Sequence, residues 1–186
     1  MFFEGPYLTS QAVSLIKLHR TAENIDTLIL SDTEPSSKEF LLLTQDIKKF
    51  AIEQLGLKDS TNYNTFIQTD RTYLVDVVSA VRADSLLRYE RSYPLIGKVF
   101  YKGFFKPEQA ERFAAQLHKR GYYVHVRKVS AYSSLGYLRD PLYSYMAHYD
   151  VHRLAELLIH EQVHSTIWIP GHNTFNEEIA TFIGRE

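Results

Sequence analysis

The sequence predicts an α+β fold, with helices before and after a central sheet. Three observations lead there. Residues 8–55 carry apolar side chains at helical spacing. Residues 72–132 turn β-branched and aromatic, interrupted by one helix-like stretch. Residues 150–186 return to helical spacing.

The N-terminal part reads as a helical hairpin. Residues 8–30 form one long amphipathic helix, with Val13, Ile16, Ile25 and Leu28 near helical spacing. Glu34-Pro35-Ser36-Ser37 is a break and a helix start. A second helix over about 37–55 sets Phe40, Leu43, Ile47, Phe50 and Ala51 on one face and Lys48-Lys49 on the other. Gly56 ends it.

A small mixed or antiparallel sheet follows. Residues 72–81 read as a strand, and 85–93 as its partner. Residues 95–105 form a further strand or a bent pair, with Gly97 and Gly103 as kinks. Pro107 opens a helix that Gly121 closes. Residues 122–132 alternate as a strand, and 133–140 form a turn-rich loop. The last helices span about 150–167 and 174 to the end. The whole reads as a single domain over 1–186: helical in 1–60, a sheet with one helix in 70–132, and the helices that carry chemistry in 148–186.

Composition narrows the function. The formal net charge is -1, and Lys and Arg are spread along the chain, so nucleic acid has no electrostatic footprint to bind. No apolar run reaches membrane-spanning length. The start, Met1-Phe2-Phe3-Glu4, does not read as a signal peptide. With no Cys there are no disulfides, thiolate ligands or Cys nucleophile, so any metal is held by His and carboxylates. The 13 Tyr and 11 Phe are assigned to strand and core packing rather than ligand stacking.

One motif names a chemistry. His160-Glu161-Gln162-Val163-His164 is H-E-x-x-H. Residues four apart share a helix face, so His160 and His164 converge on one point, and Glu161 can reach a water there as general base. The helix around it, with Leu154, Leu157, Leu158, Ile159, Val163 and Ile167, is apolar on most of its circumference and reads as buried. Buried His and Glu need partners, which a metal provides. Catalytic zinc takes three protein ligands and keeps an open position. Three residues downstream are candidates for the third ligand: Glu177, Glu178 and His172. Glu177 has a competing job in a capping box with Thr174. The longer H-E-x-x-H-x-x-G-x-x-H spacing is excluded by Ile167 and Pro170.

H-E-x-x-H followed by Asn176-Glu177-x-x-Ala180 resembles the gluzincin group of zinc peptidases. A closer resemblance, to a family of bacterial aminopeptidases assigned largely on this motif, covers most of the chain. The matching stretches are Ser92-Tyr93-Pro94-Leu95-Ile96-Gly97-Lys98-Val99, Tyr101-Lys102-Gly103-Phe104-Phe105, the run 129–137, Asp140-Pro141-Leu142, and Phe175-Asn176-Glu177-Glu178-Ile179-Ala180-Thr181-Phe182.

The resemblance implies a zincin-like fold with an H-E-x-x-H active-site helix and a C-terminal Glu-bearing helix. It implies Zn2+ on His160, His164 and Glu177, with Glu161 catalytic and a peptide or protein as substrate. Tyr132, Tyr137, Tyr143 and His172 are candidate oxyanion or substrate contacts. Glu178, Asp140 and Glu156 are candidates to receive a substrate amino terminus. The strand over 122–132 would pair with substrate backbone, and Ser133, Ser134 and Gly136 would line the cleft. Family members often start from a lipid-anchoring Cys and continue past the Asn-Glu helix. The expectation is therefore a cell-envelope or periplasmic protein whose C-terminal helical region lies beyond Glu186. The competing reading is a catalytically silent relative or fragment, with a structural zinc site serving binding or assembly.

Overall fold

The computed structural model describes residues 5–31, 34–93, 97–130 and 140–186. The expected cleft loop at 133–139, with Tyr137, and Tyr132 before it lie outside the described residues. The fold is α+β, as expected, with six α-helices and three small sheets among the described residues. Contacts divide the chain into two compact units. One is Met1–Leu15 with Tyr73–Ala131, the other Ile16–Thr72 with Tyr132–Glu186.

The first unit is built on an antiparallel sheet. β3 (Val75–Arg82) lies between β6 (Tyr101–Phe104) and β7 (Tyr122–Val129). β3 alternates, so Val78 and Ala80 face α4 (Pro107–His118) and meet its Ala110, Ala114 and Leu117 in a core closed by Phe104 and Tyr89. Pro107 at the first turn and Gly121 at φ +79 bound that helix as the sequence predicts. The start of α1 (Gly5–His19) joins this unit. Tyr7 donates to the Gly103 carbonyl, its ring meets Phe104 edge-on, and Gln11 donates to Gln109.

Two expectations are corrected here. Residues 85–93 meet β3 through an isolated bridge between Val81 and Arg88 and through backbone hydrogen bonds, the Arg82 N–H to the Leu87 carbonyl, the Leu86 N–H to the Arg82 carbonyl and the Tyr89 N–H to the Ala80 carbonyl, but not as a ladder strand. β4 (Arg91–Tyr93) instead pairs with β5 (Gly97–Val99) in its own two-stranded ladder. Nor is 8–30 one helix, and no hairpin with the next helix results. After α1 come the short β1 (Glu23–Asn24) and α2 (Ile25–Leu30). Asn24 decides this: its side chain accepts from the Thr27 N–H and caps a new helix, satisfying a donor that a continuous helix would bond internally.

The second unit holds α2, α3 (Pro35–Glu53), α5 (Val151–Thr166) and α6 (Asn173–Arg185), with a 3-10 turn at Ser144–His148. α3 packs on α5, and α5 on α6. A three-stranded sheet joins β1, β2 (Thr65–Ile67) and β8 (Leu142–Tyr143), the β2–β8 pair running parallel. The buried face of α3 is rotated from the predicted one. Thr44 and Lys48 are buried, while Phe50 is exposed. Lys48 turns inward because its ammonium has acceptors there: it donates to the Ser60 carbonyl and to Asn64 Oδ1.

Candidate metal centre

α5 begins at Asp150, whose side chain accepts from the Arg153 N–H, and ends at Thr166, within a residue of the predicted bounds. Its buried residues include Leu154, Leu158, Ile159, Val163 and His164. A polar strap lies against the same face. Gln162, 1% exposed, donates to the Lys58 carbonyl, and Lys58 N–H donates to Thr166 Oγ1. Asn62 donates to Ser165 Oγ and accepts from the Asp140 N–H, and the Tyr63 N–H donates to the Asp140 carbonyl. The segment 58–63 thus fixes the C-terminal part of the helix, from Gln162 within the motif to Thr166, and ties it to Asp140. None of these strap residues stands out in sequence, because each partner lies about a hundred or eighty positions away.

α6 is positioned by the turn before it. Gly171 sits at φ +81, and Asn176, fully buried, bonds the Ile169 backbone through both ends of its amide. The predicted N-cap at Thr174 is not used. The helix starts one residue earlier, with His172 at the cap position and no side-chain cap, so Glu177 is released from the capping box. The helices approach closely: a Cβ on Gly184 would stand 2.9 Å from the Glu156 carbonyl oxygen, and Arg185 pairs with Glu156 at 2.7 Å.

These constraints bring His160, His164 and Glu177 together. The two Nε2 atoms are 3.2 Å apart, with rings perpendicular. The Glu177 carboxylate straddles them, Oε2 at 3.5 Å from His160 and Oε1 at 3.6 Å from His164. With one oxygen counted for Glu177, the three donors lie within 4.8 Å of one another. A zinc ion about 2.0–2.2 Å from each of three tetrahedral ligands holds them about 3.3–3.6 Å apart, which the two Nε2 atoms, and each ring with its nearer Glu177 oxygen, match closely. The chemistry fits as well, since imidazole nitrogens and a carboxylate are the only such donors in a chain without Cys. His164 also packs edge-on against Trp168, and its buried Nδ1 has no hydrogen-bond partner among the described residues.

The electrostatics divide the three side chains. The Glu177 carboxylate raises His160 above the ordinary imidazole range, against the effect of burial. Burial lowers His164, and Glu177 opposes it only in part. One carboxylate thus stabilises one imidazolium, and the deeper ring is kept neutral, which is the state that ligates metal. Burial pushes Glu161 up to about 7. Its carboxyl makes no hydrogen bond among the described residues, and Asp140 and Glu177 add to the shift. Tyr63, 2% exposed and at φ +60, is raised well above its ordinary value by burial and then by Glu161.

The other candidates separate. His172 is exposed at the start of α6 and is not in the metal-binding group. Tyr143 is buried and stacked on Tyr145 at 5.4 Å, a packing role. Glu156 is engaged by Arg185. Glu178 is exposed and Asp140 buried.

A family model described as "Putative aminopeptidase" matches residues 6–186. The chain belongs to this family. Its description is that of a peptidase, so peptide-bond hydrolysis is the activity class to which membership points. No curated protein and no solved structure matches the chain. No helix among the described residues is long and apolar enough to cross a membrane.

Proposed function

We propose that the protein is a zinc-dependent peptidase of the gluzincin type, acting as an aminopeptidase. The observation that carries this reading is the convergence of His160, His164 and Glu177 from two helices, with the half-buried Glu161 next to His160, in a chain of this family.

His160 and His164 would bind zinc through Nε2, and Glu177 through its carboxylate. Zinc held there supplies a Lewis acid that polarises a peptide carbonyl and acidifies water. The chain's own part in the chemistry falls to Glu161. Its carboxylate takes the proton of the attacking water and passes it to the leaving amine nitrogen. A poorly solvated carboxylate with no hydrogen bond of its own among the described residues suits both tasks, because burial makes it a better base than a carboxylate in water and its acid form can return the proton. The strap from Lys58 to Tyr63 holds the stretch of α5 that directly follows Glu161.

Glu161→Gln tests this reading. The expected protein retains stoichiometric zinc by elemental analysis and loses hydrolysis of aminoacyl arylamides by at least about a hundredfold. Unchanged hydrolysis with zinc retained rejects Glu161 as the base, and absence of zinc from the native protein rejects the metal.

A further inference from the structure

The first unit carries a second candidate site, on the sheet face turned away from α4. Val78 and Ala80 face the core, so Val77, Ser79 and Val81 face the other way. The register sets Ser79 between Tyr101 of β6 and His125 of β7. It sets Val77 opposite Arg127, and Val81 opposite Tyr123. The bridge from Val81 to Arg88 brings that arginine to the same face, across β3 from Tyr123. A groove of about 420 Å³ runs over this floor, with both arginines in its lining. That is the size of a small-ligand site, for which volumes of about 300–1,000 Å³ are usual.

Its charge is one-sided. No Asp or Glu lines it. Arg82 and Arg185 elsewhere pair with Asp84 and Glu156. Arg88 and Arg127 have no carboxylate partner among the described residues. Arg88 stands over the Phe100 ring at 5.5 Å, which fixes the plane of the guanidinium and leaves its in-plane N–H groups for a ligand. The two arginines also occupy opposite ends. Val77 and Val81 are four residues apart on one strand, about 13 Å at 3.2–3.4 Å per residue. Between them the floor is Val77, Ser79 and Val81, with Tyr101 and His125 beside Ser79 and the Ser79 hydroxyl turned to the His125 carbonyl.

We propose that this groove binds an elongated dicarboxylate with an apolar middle, one carboxylate on Arg88, the other on Arg127, and the chain between them over Val77 and Val81. A single anionic group would leave one arginine uncompensated. An uncharged amphiphile would leave both.

Titration calorimetry of the full chain with dodecanedioate, dodecanoate and dodecanol tests it. The diacid is expected to saturate one site and bind about tenfold or more tighter than the monoacid, with dodecanol weaker again. Arg88→Gln and Arg127→Gln lie on exposed side chains, so melting temperature should be unchanged. Each should reduce the diacid to the affinity of the monoacid. The proposal is overturned if the diacid does not saturate, if the monoacid binds as tightly, or if either variant keeps full diacid affinity. An acidic peptide that outcompetes the diacid would also overturn it, by assigning the groove to a protein partner. Zinc content and hydrolysis do not enter these readouts, so the outcome is independent of the metal centre.

Discussion

Asn176 closes both hydrogen-bonding sides of Ile169. Its Oδ1 accepts the Ile169 N–H at 3.0 Å, and its Nδ2 donates to the Ile169 carbonyl at 2.9 Å. The amide thereby replaces a backbone ladder across the turn between α5 and α6. It also fixes the residue directly before Glu177.

Asn176→Ala would strip partners from both groups of Ile169 and empty a fully buried position. Stability is expected to fall by about 2–4 kcal/mol, as for loss of two backbone-directed hydrogen bonds from a buried site. Zinc affinity should fall by about 10–100-fold, the usual cost of losing an outer support of a ligand. Chemical denaturation and zinc competition titration would measure the two. A variant with native zinc affinity would show that α6 is placed without this clamp.

Gly184 lets α6 approach α5. Alanine there has two opposed effects. Helix propensity gains about 1 kcal/mol, and overpacking costs about 1–3 kcal/mol. The contact to be relieved is with a backbone carbonyl at 2.9 Å, which no rotamer change can relieve, so the cost should win. Gly184→Ala is expected to lower the urea midpoint. A raised midpoint would mean that the helices separate freely.

Much of this architecture is legible in the sequence wherever the cause is local. The bounds of α5 read to within a residue, Pro107 and Gly121 bound α4, β-branched and aromatic residues mark β3, and alternation marks β7. The convergence of the two imidazoles follows from helical spacing, and Glu177 is singled out from Glu178 and His172 by the family resemblance, with which its place beside the imidazoles agrees. What is not legible is set by distant partners. Lys48 reads as a solvent-facing charge until Ser60 and Asn64 supply its acceptors. The parallel pairing of Phe66 and Ile67 with Leu142 and Tyr143 joins segments too short to signal themselves. Asn24 is local, yet its capping role is hidden inside an apolar pattern that continues on both sides of it.

Removal of single ligands should rank by burial. His164 is 5% exposed, and its Nε2 faces both other donors. Glu177 is 60% exposed, and water can take its place. His164→Ala is expected to abolish measurable zinc binding. Glu177→Ala should weaken it by at least about 10–100-fold and leave a residual site. Equal affinities for Glu177→Ala and the native protein would return the third position to Glu178 or His172.

The metal-free protein should carry the signature of Glu161 in its pH dependence. Burial raises this carboxyl from 4.5 to about 7. A raised carboxyl binds more protons folded than unfolded. Its contribution is therefore fully present below the unfolded pKa, and is lost as pH rises through the folded one. The raised His160 acts in the same sense just above its ordinary range, while the lowered His164 opposes it below that range. Between about pH 4.5 and 7 the contribution of Glu161 should dominate, because it spans that whole window. The melting temperature of the chelator-treated protein should fall across it. In Glu161→Gln the fall should be shallower, since the amide does not titrate. Bound zinc should flatten the native curve too, because its charge stabilises the carboxylate. Parallel curves for the native and Gln proteins without metal would show that Glu161 is solvated in solution and not held at a raised pKa.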